Sequence, residues 1–126
     1  MTQKDKELLL KDLCSRLPYG VKIAIPGLWD REISVEPLNE IFKGDDDLFR
    51  VNGNGHCIEY IKPYLLPLSS MTDEQRDIVD LIASSSNTVL SDVVVVDFYN
   101  KKHFDYRYRG LIPMGLAFDV TGLNIY

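Results

Sequence analysis

The sequence is poor in the residues and runs that mark several large classes of protein. Its two cysteines, Cys14 and Cys57, stand far apart and neither belongs to a Cys-x-x-Cys pair, which argues against a disulfide-stapled secreted domain and against a zinc site. No run approaches the roughly 18 to 20 apolar residues that cross a bilayer. The opening MTQKDKELLLKD holds only three consecutive leucines before a charge, unlike a signal peptide. We therefore expect a cytoplasmic protein with no membrane contact and with both thiols buried as small apolar groups.

The excess of negative over positive charge is also small. Asp and Glu outnumber Lys and Arg by 19 to 14, which gives a formal net charge of −5 over 126 residues. A mildly acidic chain is repelled by nucleic-acid phosphates and anionic lipids, which disfavours a dedicated nucleic-acid binder without excluding a local basic patch. Hydrophobic residues make up 45% and charged residues 26%, the balance of a folded domain rather than of a disordered chain. The sequence therefore predicts a single domain over residues 1–126.

The first predicted element is a helix over residues 2–17. Four residues recur at i, i+3, i+4 and i+7: Leu10, Leu13, Cys14 and Leu17, and Leu9 widens this apolar stripe. This spacing places them on one face of a helix, and charged residues, Asp12 included, cover the other faces. We expect the stripe to pack on a sheet.

The middle of the chain has the alternation typical of strands. Residues 21–25, 33–35 and 48–51 fit short strands, and Pro37 breaks the second of them or puts it at a sheet edge. Residues 38–42 fit either a short strand or a helical turn. The triplet Asp45, Asp46 and Asp47 marks a polar turn.

The motif NGNG at residues 52–55 is the clearest hairpin signal, because Asn-Gly steps accept the positive φ of tight turns between antiparallel strands. The returning strand is predicted from residue 56 to about residue 65. Pro63 and Pro67 are expected to end its regular pairing.

Two helices are predicted after the strands. Thr72 and Gln75 fit a capping box, and the apolar face of the helix that follows is assigned to Ile78, Val79, Leu81 and Ile82. Residues 93–96 form a valine run that favours a strand by propensity. Because Ser91 and Asp92 fit an N-cap and apolar residues recur at helical spacing, we predict a helix over residues 91–106. A short strand is predicted near residues 116–120.

Strands that cluster together, rather than alternating with helices, indicate an α+β fold. We predict an N-terminal helix, an antiparallel sheet of about four strands with the NGNG hairpin, and two C-terminal helices packed on one face.

No pattern in the sequence favours a catalytic residue, a metal site or a cofactor. His56 and Cys57 are neighbours on a predicted strand and so point to opposite faces. The aspartate triplet lacks the ligand spacing of a calcium loop. Asp97 and His103 fall on nearly opposite faces of a helix, and with Asp105 they lack a Gly-x-Ser-x-Gly nucleophile. Phosphate-binding glycine loops are missing as well. A non-enzymatic protein is favoured, and a small hydrolase built from scattered residues is the remaining enzymatic alternative.

The most distinctive segment is KKHFDYRYRG at residues 101–110, which interleaves four Lys or Arg with three aromatic rings. It fits a helix end whose aromatic rings pack inward, a protein interface or a surface for single-stranded nucleic acid. The candidate binding residues are Lys101, Lys102, His103, Tyr106, Arg107, Tyr108 and Arg109.

Three stretches carry a resemblance to known proteins: LLLKDLCSRLPYGVK, IKPYLLPLSSMTDEQ and HFDYRYRGLIPMGLAF. Together they resemble a group of small proteins, without an assigned activity, from gut bacteria and from the phages and mobile elements that these bacteria carry. The resemblance implies an intracellular, phage-linked accessory role and supplies no catalytic residue. We therefore expect a protein that acts through contacts with an unknown protein partner, with nucleic-acid binding through residues 101–110 as the alternative.

Overall fold

A computed structural model of the protein describes residues 2–26, 33–53, 56–84, 88–105 and 110–126, with side chains omitted at 88–92. In chain order the helices and strands are α1 (Gln3–Arg16), β1 (Lys22–Ile25), β2 (Ser34–Pro37), β3 (Ile41–Lys43), β4 (Phe49–Val51), β5 (His56–Cys57), β6 (Lys62–Pro67), α2 (Asp73–Ala83), α3 (Thr88–Lys101), β7 (Phe104–Asp105) and β8 (Phe118–Asp119). Short 3-10 turns occupy Leu17–Tyr19, Ile58–Tyr60 and Leu68–Ser70. The predicted α+β class is confirmed.

Helix α1 begins at a capping box. The Thr2 hydroxyl accepts the Asp5 N–H, and the Asp5 carboxylate accepts the Thr2 N–H, so two helix-end donors are satisfied. The buried face consists of Leu9, Asp12, Leu13 and Arg16.

The apolar stripe predicted for α1 is confirmed at Leu9 and Leu13, which are fully buried, and is wrong at its other members. Leu10 and Leu17 are only half-buried, and Cys14 is exposed, whereas Asp12 was expected on a polar face and is buried. The reason is that Asp12 pairs with Arg16 inside the protein, which rotates the inward face away from the pattern of apolar residues alone. The expected burial of both thiols is wrong for Cys14, and Cys57 is half-buried.

The larger sheet has the order β2-β1-β6-β7, and β8 pairs with β6 as well. Strand β1 pairs antiparallel with both β2 and β6. The pairings of β6 with β7 and β8 are parallel, so the prediction of a purely antiparallel sheet is wrong here. Strand β2 ends at Pro37 on the sheet edge, a position where a missing N–H is tolerated.

A second sheet has the order β3-β4-β5. Strands β4 and β5 pair antiparallel, with Val51 opposite His56, which confirms a hairpin at this position, although Asn54 and Gly55 of the NGNG motif lie outside the described residues. Asn52 adopts a φ of 57°, the left-handed conformation that asparagine accepts more readily than most residues. Of residues 38–42, for which a strand and a helical turn are the alternatives, only Ile41 and Phe42 form regular structure, within β3.

The long strand predicted over residues 56–65 is interrupted. It stops after Cys57 at the 3-10 turn Ile58–Tyr60, in which Ile61 donates its N–H to the Ile58 carbonyl, and it resumes as β6. Pro63 does not end the pairing as predicted, because it lies within β6 opposite Ile23. Ile58 and Ile61 are both buried at this turn.

Helix α2 begins at the predicted capping box. Gln75 donates its N–H to the Thr72 hydroxyl, and the Gln75 side chain accepts the Thr72 N–H. No residue of α2 is fully buried. Of its predicted apolar face, Val79 and Ile82 are half-buried, while Ile78 and Leu81 remain exposed. Helix α2 packs mainly on α3.

Helix α3 confirms the choice of a helix for the valine run, but its ends differ from the prediction. It starts at Thr88 and stops at Lys101. His103 then adopts a φ of 64°, which is incompatible with a continuing helix, and Phe104 begins β7.

The main core joins residues from both sheets and α1. Its fully buried members are Leu9, Leu13, Val21, Ile23, Ile25, Leu38, Val51, Ile58, Ile61, Leu65, Leu111, Leu116 and Ala117. A smaller cluster of Ala24, Tyr64 and Val120 covers another part of the larger sheet. Within the described ranges, no helix has the length and apolar character needed to cross a bilayer.

Candidate partner-binding groove

The segment predicted to bind a partner is divided in the structure. Lys101 and Lys102 are exposed at the end of α3. Tyr106, Arg107, Tyr108 and Arg109 lie outside the described residues, so their proposed role stays a prediction. His103 turns away from the two lysines into a contact with Tyr126.

His103 is held in a desolvated position. Its imidazole ring stacks on the Tyr126 ring with centroids 4.0 Å apart and an interplanar angle of 8°. Burial lowers the pKa of His103 to about 4, and the nearby cations Arg16, Lys22 and Lys102 add to this effect. The imidazole is therefore neutral at neutral pH.

The three residues considered as a triad contact different groups. Asp97 accepts a hydrogen bond from the Tyr19 hydroxyl. The Asp105 carboxylate accepts the N–H groups of Leu111 and Ile112, each at 3.0 Å. Asp105 thus fixes the backbone of the segment that follows.

An apolar groove of about 190 Å³ lies between the first turns of α1 and the β4–β5 hairpin. We call it the α1–hairpin groove. Its lining residues are Gln3, Lys6, Glu7, Leu10, Asp47, Leu48, Phe49, Cys57, Ile58 and Glu59. These residues come from three separate stretches of the chain, and the fold brings them together.

Helical spacing explains the α1 side of the groove. Gln3, Lys6, Glu7 and Leu10 stand at i, i+3, i+4 and i+7, so they form one face of the helix. This face lies beside the buried face of Leu9 and Leu13, which fixes α1 against the core. The groove wall is therefore anchored by core packing.

The hairpin side supplies most of the apolar surface. Leu48 and Phe49 keep 46% and 37% of their surface exposed, although both are large apolar side chains. Buried Ile58 and half-buried Cys57 complete this side. Exposed apolar residues beside a concave surface are typical of an interaction site.

The rim of the groove carries more negative than positive charge. Lys6 Nζ lies 2.9 Å from Glu59 Oε2 and so bridges α1 to the 3-10 turn. The Lys6 ammonium lowers the pKa of Glu59, because a nearby cation favours the carboxylate form. Glu7 and Asp47 add two further carboxylates to the lining. Lys43 adds a second cation, because its Nζ lies 3.7 Å from Asp47 and 6.0 Å from the Phe49 ring centroid. Carboxylates therefore outnumber ammonium groups at the rim by three to two.

These groove residues were missed in the sequence because no single stretch contains them. Two signals were present: the helical spacing of Gln3, Lys6, Glu7 and Leu10, and the apolar pair Leu48-Phe49 directly after an aspartate run. Neither signal indicates that α1 and the hairpin meet. Among the described residues, no three His, Cys, Asp or Glu side chains come together in a group that suits a metal ion.

The chain matches no protein-family model, no curated protein and no solved structure. The resemblance to small proteins of gut bacteria and their phages stays a prediction. The function is therefore argued from the chemistry of the groove.

Proposed function

We propose that the protein is a non-enzymatic accessory protein that binds a partner protein through the α1–hairpin groove. The partner segment would insert one bulky apolar side chain, flanked by Lys or Arg. The observation that carries this proposal is an apolar groove beneath an acidic rim. From the sequence, we further propose that the protein acts in the cytoplasm of a bacterium and in association with a phage or mobile element.

The size of the groove favours a side chain over a free small molecule. Its volume is about 190 Å³, below the roughly 300 to 1,000 Å³ of typical small-molecule sites. One buried anchor side chain per partner segment is a common way for a groove to bind a peptide.

The charge of the rim indicates which residues should flank the anchor side chain in the partner. Lys6 is already paired with Glu59, which leaves Glu7 to attract cations, and a cation at Asp47 has to compete with Lys43. Asp47 lies only loosely opposite Lys43, at 3.7 Å. Since the whole chain is also negative, at −5, a basic partner is attracted at long range as well as at the rim.

Three labelled decapeptides test the proposal by two-dimensional NMR of the full chain. The first carries a central Phe flanked by Lys, the second replaces Phe by Ala, and the third replaces the Lys flanks by Glu. We expect the first peptide to shift the amide signals of Leu10, Phe49 and Ile58, because these residues line the groove. The other two peptides should bind at least about tenfold more weakly, the change expected when an anchor contact is lost.

Two lysine substitutions provide a matched pair. Leu48→Lys places a cation at the groove and should weaken binding of the Phe/Lys peptide by about tenfold or more. Leu81→Lys changes another exposed leucine, 75% exposed on α2, and should leave binding unchanged. Equal binding by wild type and Leu48→Lys would overturn the proposal.

The same NMR experiment with a short single-stranded oligonucleotide at low salt tests the nucleic-acid alternative. If the oligonucleotide shifts Lys101 and Lys102 while no peptide shifts the groove residues, the alternative replaces the proposal. Salt sensitivity then follows from counterion release.

A further inference from the structure

Residues 121–126 cross back over the larger sheet after β8 without forming a helix or strand. Leu123 donates its N–H to the Val120 carbonyl, and Gly122 has a φ of 78°, so the chain turns sharply there. The segment then runs to the start of β1. We call residues 121–126 the strap.

Tyr126 fastens the strap at three places. Its hydroxyl accepts the Lys22 N–H at 2.7 Å and donates to the Tyr64 carbonyl at 2.9 Å. Its ring stacks on His103. Lys22 also donates from Nζ to the Ile125 carbonyl at 2.5 Å. The strap therefore joins β1, β6 and the junction between α3 and β7.

Three cations, one of them in an ion pair, add positive potential at the stacked imidazole. Arg16 of α1 is fully buried and pairs with Asp12, Lys22 stands on β1, and Lys102 precedes His103. The nearest carboxylate along the chain, Asp105, is engaged by backbone N–H groups. On the β6 side, His103 contacts the backbone, because Leu66 donates its N–H to the His103 carbonyl.

A protonated His103 fits this position poorly. Nδ1 is buried and has no hydrogen-bond partner among the described residues. Because an imidazolium carries a proton on both nitrogens, protonation leaves a buried N–H donor unsatisfied at this position and adds a charge beside three cations.

We propose that closure of the strap requires a neutral His103, so that protonation of this imidazole releases Tyr126 from the sheet. The strap is then an acid-sensitive element of the fold, independent of the α1–hairpin groove.

The direction of the pH effect follows from the two states of His103. With the strap closed, the pKa of His103 is about 4, and when the ring is solvated it returns toward the ordinary 6.5. The open state therefore binds more protons between these values. Closure is favoured above about pH 6.5 and becomes steadily less favoured as the pH falls toward 4. Although 44% of the Tyr126 surface is exposed, desolvation of its hydroxyl raises the pKa of Tyr126 to about 12, so the hydroxyl stays protonated across this range.

The experiment is a pH titration of the imidazole NMR signals in wild type, Tyr126→Ala and Tyr126→Phe. The chain has only two histidines, so few imidazole signals need to be assigned. We expect the pKa of His103 to be about 4 in wild type and to rise by at least one unit in Tyr126→Ala. In Tyr126→Phe, which keeps the stacked ring, the rise should be smaller. An unchanged His103 pKa in Tyr126→Ala would overturn the proposal.

A second measurement uses wild type alone, so it still tests the proposal if the alanine variant fails to fold. The Lys22 amide donates to the Tyr126 hydroxyl, so its chemical shift reports strap closure. It should change with the same midpoint as His103. A Lys22 amide shift that stays constant while His103 titrates would refute the coupling.

Discussion

Asp12 and Arg16 form an ion pair one helical turn apart on α1, and neither side chain is exposed to solvent. Arg16 Nε and one Nη lie 2.8 and 3.2 Å from the two carboxylate oxygens of Asp12. The same Nη donates to the Phe104 carbonyl at 2.7 Å. The pair therefore links α1 to β7 through the interior.

We predict that Arg16→Met strongly destabilises the protein. The substitution leaves the Asp12 carboxylate buried without its ion-pair partner, which typically costs about 3–5 kcal/mol. Urea denaturation measures the free energy of unfolding. Lys6→Met is the control, because it removes a partly exposed ion pair and should cost far less. Similar losses of unfolding free energy in both variants would contradict the prediction. The double variant Asp12→Leu/Arg16→Met should recover part of the stability that Arg16→Met loses, because it removes the buried carboxylate as well.

Asn52 should stabilise the hairpin both through its backbone and through its side chain. It has a φ of 57°, and its amide group accepts from the Asn39 N–H and donates to the Pro37 carbonyl. Asn52→Gly loses the side-chain bonds only, whereas Asn52→Ala also strains the backbone, by about 1 kcal/mol. Thermal unfolding should therefore rank wild type above Asn52→Gly and Asn52→Ala lowest. A glycine variant less stable than the alanine variant would contradict the role of φ.

The two thiols should react at different rates with a cysteine reagent such as dithiobisnitrobenzoate. Cys14 is exposed and Cys57 is half-buried in the groove, so access favours Cys14. We expect two kinetic phases, of which Cys14→Ser removes the faster and Cys57→Ser the slower. Added Phe/Lys peptide should slow only the Cys57 phase. A faster phase that survives Cys14→Ser would show that the exposure of the two thiols is assigned wrongly.

Helix α2 should be the least stable helix in the described structure. It has no buried residue, so its stability depends on its cap and on α3. We predict that Thr72→Ala lowers the stability of α2 by about 1 kcal/mol and speeds hydrogen exchange of its amides without changing exchange in α1. Thr72→Ser retains the capping hydroxyl and should behave as wild type. Faster exchange in α1 as well would mean that α2 unfolds only with the whole protein.

The Thr72–Gln75 capping box and the NGNG hairpin were predicted because each depends on neighbouring residues. The Thr2–Asp5 box is equally local and was not among the predictions. Thr2 with Asp5 and Thr72 with Gln75 satisfy helix ends locally, and Asn52 accepts a left-handed backbone by its own chemistry. Helix α3 was also predicted despite its valines, since helical spacing outweighed β propensity.

Features that depend on distant partners were not predictable. The inward face of α1 depends on Arg16 reaching the Phe104 carbonyl, and no local pattern marks a buried arginine. The parallel pairing of β6 with β7 depends on the turn at His103. The groove requires α1 to meet the hairpin, a contact between segments that carry no shared signal.

Strand β6 sets the order in which the protein can be completed during synthesis. Its pairings join Ile23 with Pro63, Leu66 with Phe104, and Tyr64 with Phe118, each between segments distant along the chain. Residue 119 must therefore emerge from the ribosome before every strand of the larger sheet can pair. Until then the apolar residues of β6 lack their final neighbours, a condition that slows folding and exposes the nascent chain to aggregation.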